Sequence, residues 1–177
     1  DTVTATLDLA QWQPSAGRGT RECIVLDPAN DGETLELLDD AFNANPTSVE
    51  TSLEMILAAQ PRDNVGRIVK GRRVVILGDM GGLGVQSKQF HSDLAQNAHL
   101  QLLDQIHCAG PQMYHLWRAL PQHLRGHWAQ SAVDLVPQIS RLLDAGDVVL
   151  VKGSTSSKIS LVVDAIRKLG HRRSQEE

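Results

Sequence analysis

"RVVILGDMGGLG", residues 73–84, is a strand and its ending. Apolar residues, mostly β-branched, run from Val74 to Leu77 without alternation, as in a strand covered on both faces. Asp79 and the glycines at 81, 82 and 84 then break it. "DVVLVKGS", residues 147–154, repeats the pattern. "DQIHCAG", 104–110, is a shorter relative, and "GHWAQS", 126–131, can hold one more strand.

Amphipathic segments lie between these runs. Asn45–Ala59 predicts a helix with Val49, Leu53, Ile56 and Leu57 on one stripe. Pro46 suits its first position and Asn45 its cap; Thr47 with Glu50 is a competing start. Further helices are predicted from Ser87 (Phe90, Leu94, Ala98 and Leu102 inward), around Gln112–Leu120, over Ser131–Leu143 (Val133, Val136, Ile139 and Leu143 inward) and over Ser157–Leu169. Cys23–Leu26 and Thr34–Leu38 flank a turn-rich stretch and predict a hairpin with a longer loop. Residues 60–73 are polar linker, and "HRRSQEE" at the end is a frayed tail. Buried strands alternating with helices predict an α/β fold: a mostly parallel sheet, helices on both faces, and one antiparallel edge strand.

Composition narrows the function classes. The 177 residues carry 17 basic and 21 acidic side chains, a formal charge of −4. That balance excludes a protein relying on a broad basic surface for nucleic acid or anionic lipid. Arg72-Arg73 and His171-Arg172-Arg173 are solvated ends of elements. Cys23 and Cys108 are core residues without metal-type spacing. The amino end has no secretory pattern, and no apolar run approaches the ~20 residues of a membrane helix. A cytosolic protein with no membrane insertion is expected.

In an open α/β sheet, ligands bind beyond the carboxyl ends of the strands. Four loops should meet there: "DDAFNANP" (39–46), "GDMGGLG" (78–84), "CAGP" (108–111) and "KGSTSS" (152–157). "KGSTSS" joins a cation, hydroxyls and a helix start, which suits an anion. It equally suits serine capping with Lys152 in solvent. "GDMGGLG" does not match G-x-G-x-x-G. Asp79 is a candidate for an amine or a base, or simply a turn acid. The seven histidines show no zinc spacing, and His91 reads as a surface or capping residue. No G-x-x-x-x-G-K-[ST], G-x-S-x-G or H-E-x-x-H is present.

"DDAFNANPTS" (39–48), "LGDMGGLGVQSKQFH" (77–91) and "VLVKGS" (149–154), in that order, resemble the carboxy-terminal domain of the Mur ligases. "PSAGRGT" (14–20) resembles the end of their central domain. The resemblance implies a Rossmann-like third domain over residues 21–177, preceded by a central-domain tail over 1–20. It implies an ATP-dependent ligase that joins D-alanyl-D-alanine to UDP-N-acetylmuramoyl-tripeptide through an acyl phosphate. Two further domains would carry the phosphate loop and the Mg2+ ligands, so this segment alone would hold no catalytic residue and no metal. By resemblance, Asp40 holds the ATP ribose, Asn43 and Asn45 lie near base and sugar, and Arg18 reaches the phosphates. Lys152 and Ser154 would face the dipeptide or the reacting carbonyl, and Asp79 the dipeptide side. Phe42 stands where the family usually has tyrosine, Gly82 where glutamate is common, and Thr155 where arginine is frequent. A stand-alone nucleotide- or amino-acid-binding module, or a domain whose asparagines only make turns, are the competing readings.

Overall fold

The computed structural model describes residues 15–173. Most of the proposed central-domain tail, with Trp12, lies outside the described residues.

Seven strands form one sheet: β1 (Thr20–Asp27), β2 (Asn30–Asp40), β3 (Arg73–Gly78), β4 (Gln105–Ala109), β5 (Arg125–Ala129), β6 (Val148–Lys152) and β7 (His171–Arg172), in the order β5-β4-β3-β6-β2-β1-β7. From β5 to β2 every pairing is parallel. β1 runs antiparallel to both β2 and β7. The chain thus builds β3, β4 and β5 outward, then returns to insert β6 between β3 and β2. This reversal is the kind of switch point that opens a crevice at the strands' carboxyl ends.

The uninterrupted apolar runs are explained by two cores. Val75, Leu77, Val148 and Leu150 face one, while Val74, Ile76, Val149 and Val151 face the other. The first is covered by α1 (Pro46–Ala58), the 3-10 turn Leu94–Gln96 that follows α2 (Ser87–Asp93), and α3 (Met113–Ala119). The second is covered by α4 (Ala132–Leu135), α5 (Ile139–Leu142) and α6 (Ser160–Arg167). α1 starts as the sequence predicts, with Asn45 as cap. Its capping box is Asn45 with Ser48, not Thr47 with Glu50.

Several expectations need correction. The hairpin loop is short, because the strands continue until Asp27 pairs with Asn30. The segment 131–143 is not one helix: a 3-10 turn over Val136–Gln138, containing Pro137, separates α4 from α5. Proline has no N–H to continue the ladder. Within α4, Ala132 and Leu135 face the core, so Val133 faces solvent. The helix from Ser87 stops at Asp93, leaving Phe90 and Leu102 outside and His91 inside. The last helix begins at Ser160, after a turn with Lys158 in the left-handed region (φ 54°). The tail is not wholly frayed, since His171 and Arg172 pair with β1.

The basic clusters are not merely solvated ends. Arg72 Nη2 lies 2.6 Å from Asp147 Oδ2, a buried carboxylate, and donates to Leu142 O. Arg73 caps the end of α1 through Ala59 O. Arg172 pairs with Glu22 at 2.7 Å. The linker is also used: Arg62 donates to Gly32 O and Thr34 O, and Arg67 pairs with Asp144.

Candidate functional site

β2, β6 and β3 lie side by side, so their trailing loops meet. Asp40 and Lys152 are register partners at the ends of β2 and β6, and Leu77 partners Lys152 from β3. The Lys152 side chain is only 2% exposed. Its Nζ donates to Asp40 Oδ2 at 2.7 Å and to Asn43 O at 2.9 Å. Ser52 Oγ, from α1, donates to the same Asp40 oxygen at 2.5 Å. An ammonium can be buried here because a carboxylate and a carbonyl replace water. Lys152 is therefore not in solvent; it ties the asparagine loop to β6.

The residues after Lys152 continue the tie. Ser154 N donates to Asp79 O at 3.1 Å, joining the β6 loop to the β3 loop. Ser154 Oγ accepts from Gly81 N at 2.7 Å and donates to Ala44 O at 3.3 Å. Thr155 Oγ1 donates to Phe42 O at 2.6 Å, and Ser157 Oγ to Ser154 O at 2.6 Å. Three of the four hydroxyls read as an anion seat are thus spent inside the protein. With α6 starting only at Ser160, its free N–H groups are set back from Ser154.

Asp79 acts on α3. Its Oδ1 accepts from Met113 N at 2.8 Å and its Oδ2 from Gln112 N at 3.3 Å. A carboxylate there satisfies helix donors and complements the helix dipole. Gly110 makes room for it: a Cβ at this position would lie 2.3 Å from Asp79 Oδ1, and its φ is +124°. His91, read from sequence as a surface or capping residue, is fully buried. Its Nε2 accepts from Met80 N at 3.0 Å, which places the ring proton on Nδ1, facing Ser87 O at 2.7 Å. Burial pushes its pKa below the ordinary histidine value, the Ser87 hydrogen bond opposing.

Four predicted residues therefore have internal work: Lys152, Ser154, Asp79, and Asn45 through its cap. Asp40 is shared, with Oδ2 paired and its side chain 19% exposed. Asn43 and Arg18 point the other way. Asn43 is exposed, and its carboxamide makes no hydrogen bond to the described residues. Arg18 is exposed, with its guanidinium 4.1 Å from the centroid of the Phe42 ring. Gly17 O accepts from Phe42 N and Gly19 N donates to Asp39 O, so residues 17–19 lie against the asparagine loop. The rim thus offers an amide that donates and accepts, a cation and an aromatic face.

Three departures from the family pattern find a place. Phe42 needs no hydroxyl to stack under Arg18. Thr155 supplies a hydroxyl to the Phe42 carbonyl. Gly82 has φ +74° and open space around it, a conformation that a side chain would strain. Sequence reading missed Ser52 and the inward role of His91. His91 was signalled only by its place at the end of the family-like stretch 77–91.

Residues 28–155 match the Mur ligase, glutamate ligase domain family. The chain belongs to the Mur ligase family. This Mur ligase domain is 30% identical over 175 residues to the UDP-N-acetylmuramoyl-tripeptide–D-alanyl-D-alanine ligase of Escherichia coli, covering 95% of the chain and 34% of that protein. It is 26% identical over 125 residues to the Rickettsia prowazekii enzyme of the same name, covering 71% of the chain and 26% of that protein. It therefore spans about a third or less of the length of these relatives. In fold, it resembles a MurF ligase from Thermotoga maritima in complex with ADP, at TM-score 0.68 and 24% identity, covering 95% of this chain and 36% of that one. It also resembles MurF from Acinetobacter baumannii, at TM-score 0.67 and 24% identity, covering 90% and 32%. No helix among the described residues is long and apolar enough to cross a membrane.

Proposed function

We propose that this Mur ligase domain is the carboxy-terminal part of a cytoplasmic ATP-dependent ligase that joins D-alanyl-D-alanine to UDP-N-acetylmuramoyl-tripeptide in peptidoglycan precursor synthesis. In this reading, residues 1–20 are the end of a central ATP-hydrolysing domain. The reading is supported by the match to ligases of that activity over nearly the whole chain. The observation that carries it is local. One loop exposes Asn43 while its own backbone is held from beneath by Lys152 and Thr155.

The reaction would activate the tripeptide carboxylate as an acyl phosphate, and the dipeptide amine would displace phosphate. Phosphoryl transfer depends mostly on positioning and charge neutralisation. Asn43 would bind the nucleotide's polar edge and Arg18 its phosphates. The free oxygen of Asp40 would accept from a ribose hydroxyl. Lys152, Ser154 and Asp79 would act indirectly, by fixing the wall that these groups stand on. Mg2+, which would neutralise phosphate charge, would be held by the central domain. Closure of this wall over the other two domains would exclude water from a hydrolysable intermediate.

The test is phosphate release by the complete ligase reading frame that contains this segment. ATP, UDP-N-acetylmuramoyl-tripeptide and D-alanyl-D-alanine should all be required, and the 177-residue chain alone should not turn over. Tight calorimetric binding of ATP or D-alanyl-D-alanine by the isolated chain would instead favour a stand-alone binding module.

A further inference from the structure

Away from the rim, on the flank of α1, Glu50 and Glu54 stand one helical turn apart and face His99. One carboxylate oxygen of each and an imidazole nitrogen lie within 4.8 Å of one another. Residues four apart share a helix face, so α1 presents two oxygen ligands to a third from a different segment. His99 sits just before the 3-10 turn Leu100–Leu102.

Two details distinguish this group from an ordinary surface ion pair. His99 Nδ1 is paired with Glu50 Oε1 at 2.5 Å, and that nitrogen is shielded from solvent although the residue is only partly buried. The other Glu50 oxygen is held by the Asn97 amide, whose own carbonyl accepts from Leu100 N at 3.0 Å. Glu50 thus has an oriented carboxylate with its free oxygen turned toward His99 and Glu54. Secondary contacts of this kind orient metal ligands.

We infer that Glu50, Glu54 and His99 form a binding site for a divalent metal ion of the zinc class, bridging α1 to the 97–102 segment. Zinc takes imidazole nitrogen and carboxylate oxygen at roughly 2.0–2.2 Å, with a fourth position for water. The three donors lie within 4.8 Å of one another, a spacing that one ion can bridge. A 2+ ion offsets two neighbouring carboxylates and takes up the shielded His99 nitrogen that stands against Glu50. Mg2+ prefers oxygen ligands throughout and retains its water, so it fits this donor set poorly. The proposal is independent of the ligase reading.

The test is calorimetric titration of Zn2+ into the chelator-treated 177-residue chain, with thermal unfolding followed with and without the ion. One saturable site and a rise in Tm are expected. His99→Ala and Glu54→Gln should each weaken binding at least tenfold and remove the Tm rise, whereas His123→Ala, at an exposed histidine elsewhere, should change neither. Absence of saturable binding, or binding that survives both the His99 and Glu54 substitutions, would overturn the proposal. Loss of binding in His123→Ala would place the ion elsewhere and overturn it equally.

Discussion

His91 accepts the Met80 N–H on Nε2 from 3.0 Å away, so an imidazole inside the core fixes the backbone that follows Asp79. Only the neutral ring can do this, because a protonated ring has no acceptor. Its pKa is lowered from 6.5 by burial, so the neutral form holds at pH 7. Replacing His91 with Phe should leave the Met80 N–H buried and unpaired, costing about 1–3 kcal/mol. Urea unfolding measures the loss. An unchanged midpoint would show that the loop does not depend on the ring.

His107 carries the acid sensitivity further. Its Nδ1 accepts from His127 N at 2.8 Å, and burial, with His127 and Arg72 nearby, lowers its pKa from 6.5 to about 4. The unfolded chain therefore binds a proton that the folded one refuses between those values. Stability rises with pH wherever the unfolded state binds more protons. The contribution is fully present above pH 6.5 and is lost progressively down to about 4. A shift of this size corresponds to something on the order of 3 kcal/mol. Unfolding midpoints at pH 7 and pH 5 should differ in the wild type and differ less in His107→Asn.

The Lys152–Asp40 pair should respond asymmetrically. Asp40→Ala leaves a buried ammonium with one carbonyl, and breaking a buried pair in this way costs about 3–5 kcal/mol. Lys152→Met leaves Asp40 partly exposed and still bonded to Ser52, so its cost should be smaller. The double variant should be more stable than the sum of the two losses implies. Equal single losses that simply add would rule out the pair as the tie between β2 and β6.

The two asparagines of the loop should separate stability from turnover. Asn45→Ala removes a cap that accepts from Ser48 N at 2.8 Å, and should cost about 1 kcal/mol. Asn43→Ala touches no internal bond and should shift stability by less than about 0.5 kcal/mol. In the complete ligase, Asn43→Ala should nevertheless raise KM for ATP or abolish turnover. An unaffected KM and kcat would reduce Asn43 to a turn residue.

Gly110→Ala should disturb the rim through Asp79. The added methyl would collide with the carboxylate that caps α3 and would also strain a φ of +124°. Loss of more than about 2 kcal/mol is expected. Combining it with Asp79→Ala should recover part of that loss, which a purely conformational penalty would not allow.

How far the sequence alone reaches depends on the element. Val74–Leu77 and Val148–Val151 are legible because both faces are buried, leaving no polar residue to blur the pattern. α1 is legible because proline and asparagine mark its start. Periodicity failed after Ser87, where it placed Phe90 inside and ignored His91. Hydropathy cannot register that a neutral imidazole with both nitrogens bonded is a good core residue. It failed again at Pro137, where apolar spacing outweighed a missing donor. The loops of the rim were legible as a group because each follows an apolar strand run, but their division of labour was not. Lys152 and Asp40 are 112 residues apart, and only the register of β6 against β2 reveals that they neutralise one another.

The position of β6 also governs the order of assembly during synthesis. The strand between β2 and β3 is residues 148–152, so until these leave the ribosome the nascent chain carries two half-sheets with raw facing edges. A chain stopped before Val148 would expose those edges to other polypeptides, and its product should be found in inclusion bodies rather than as a shortened native fold.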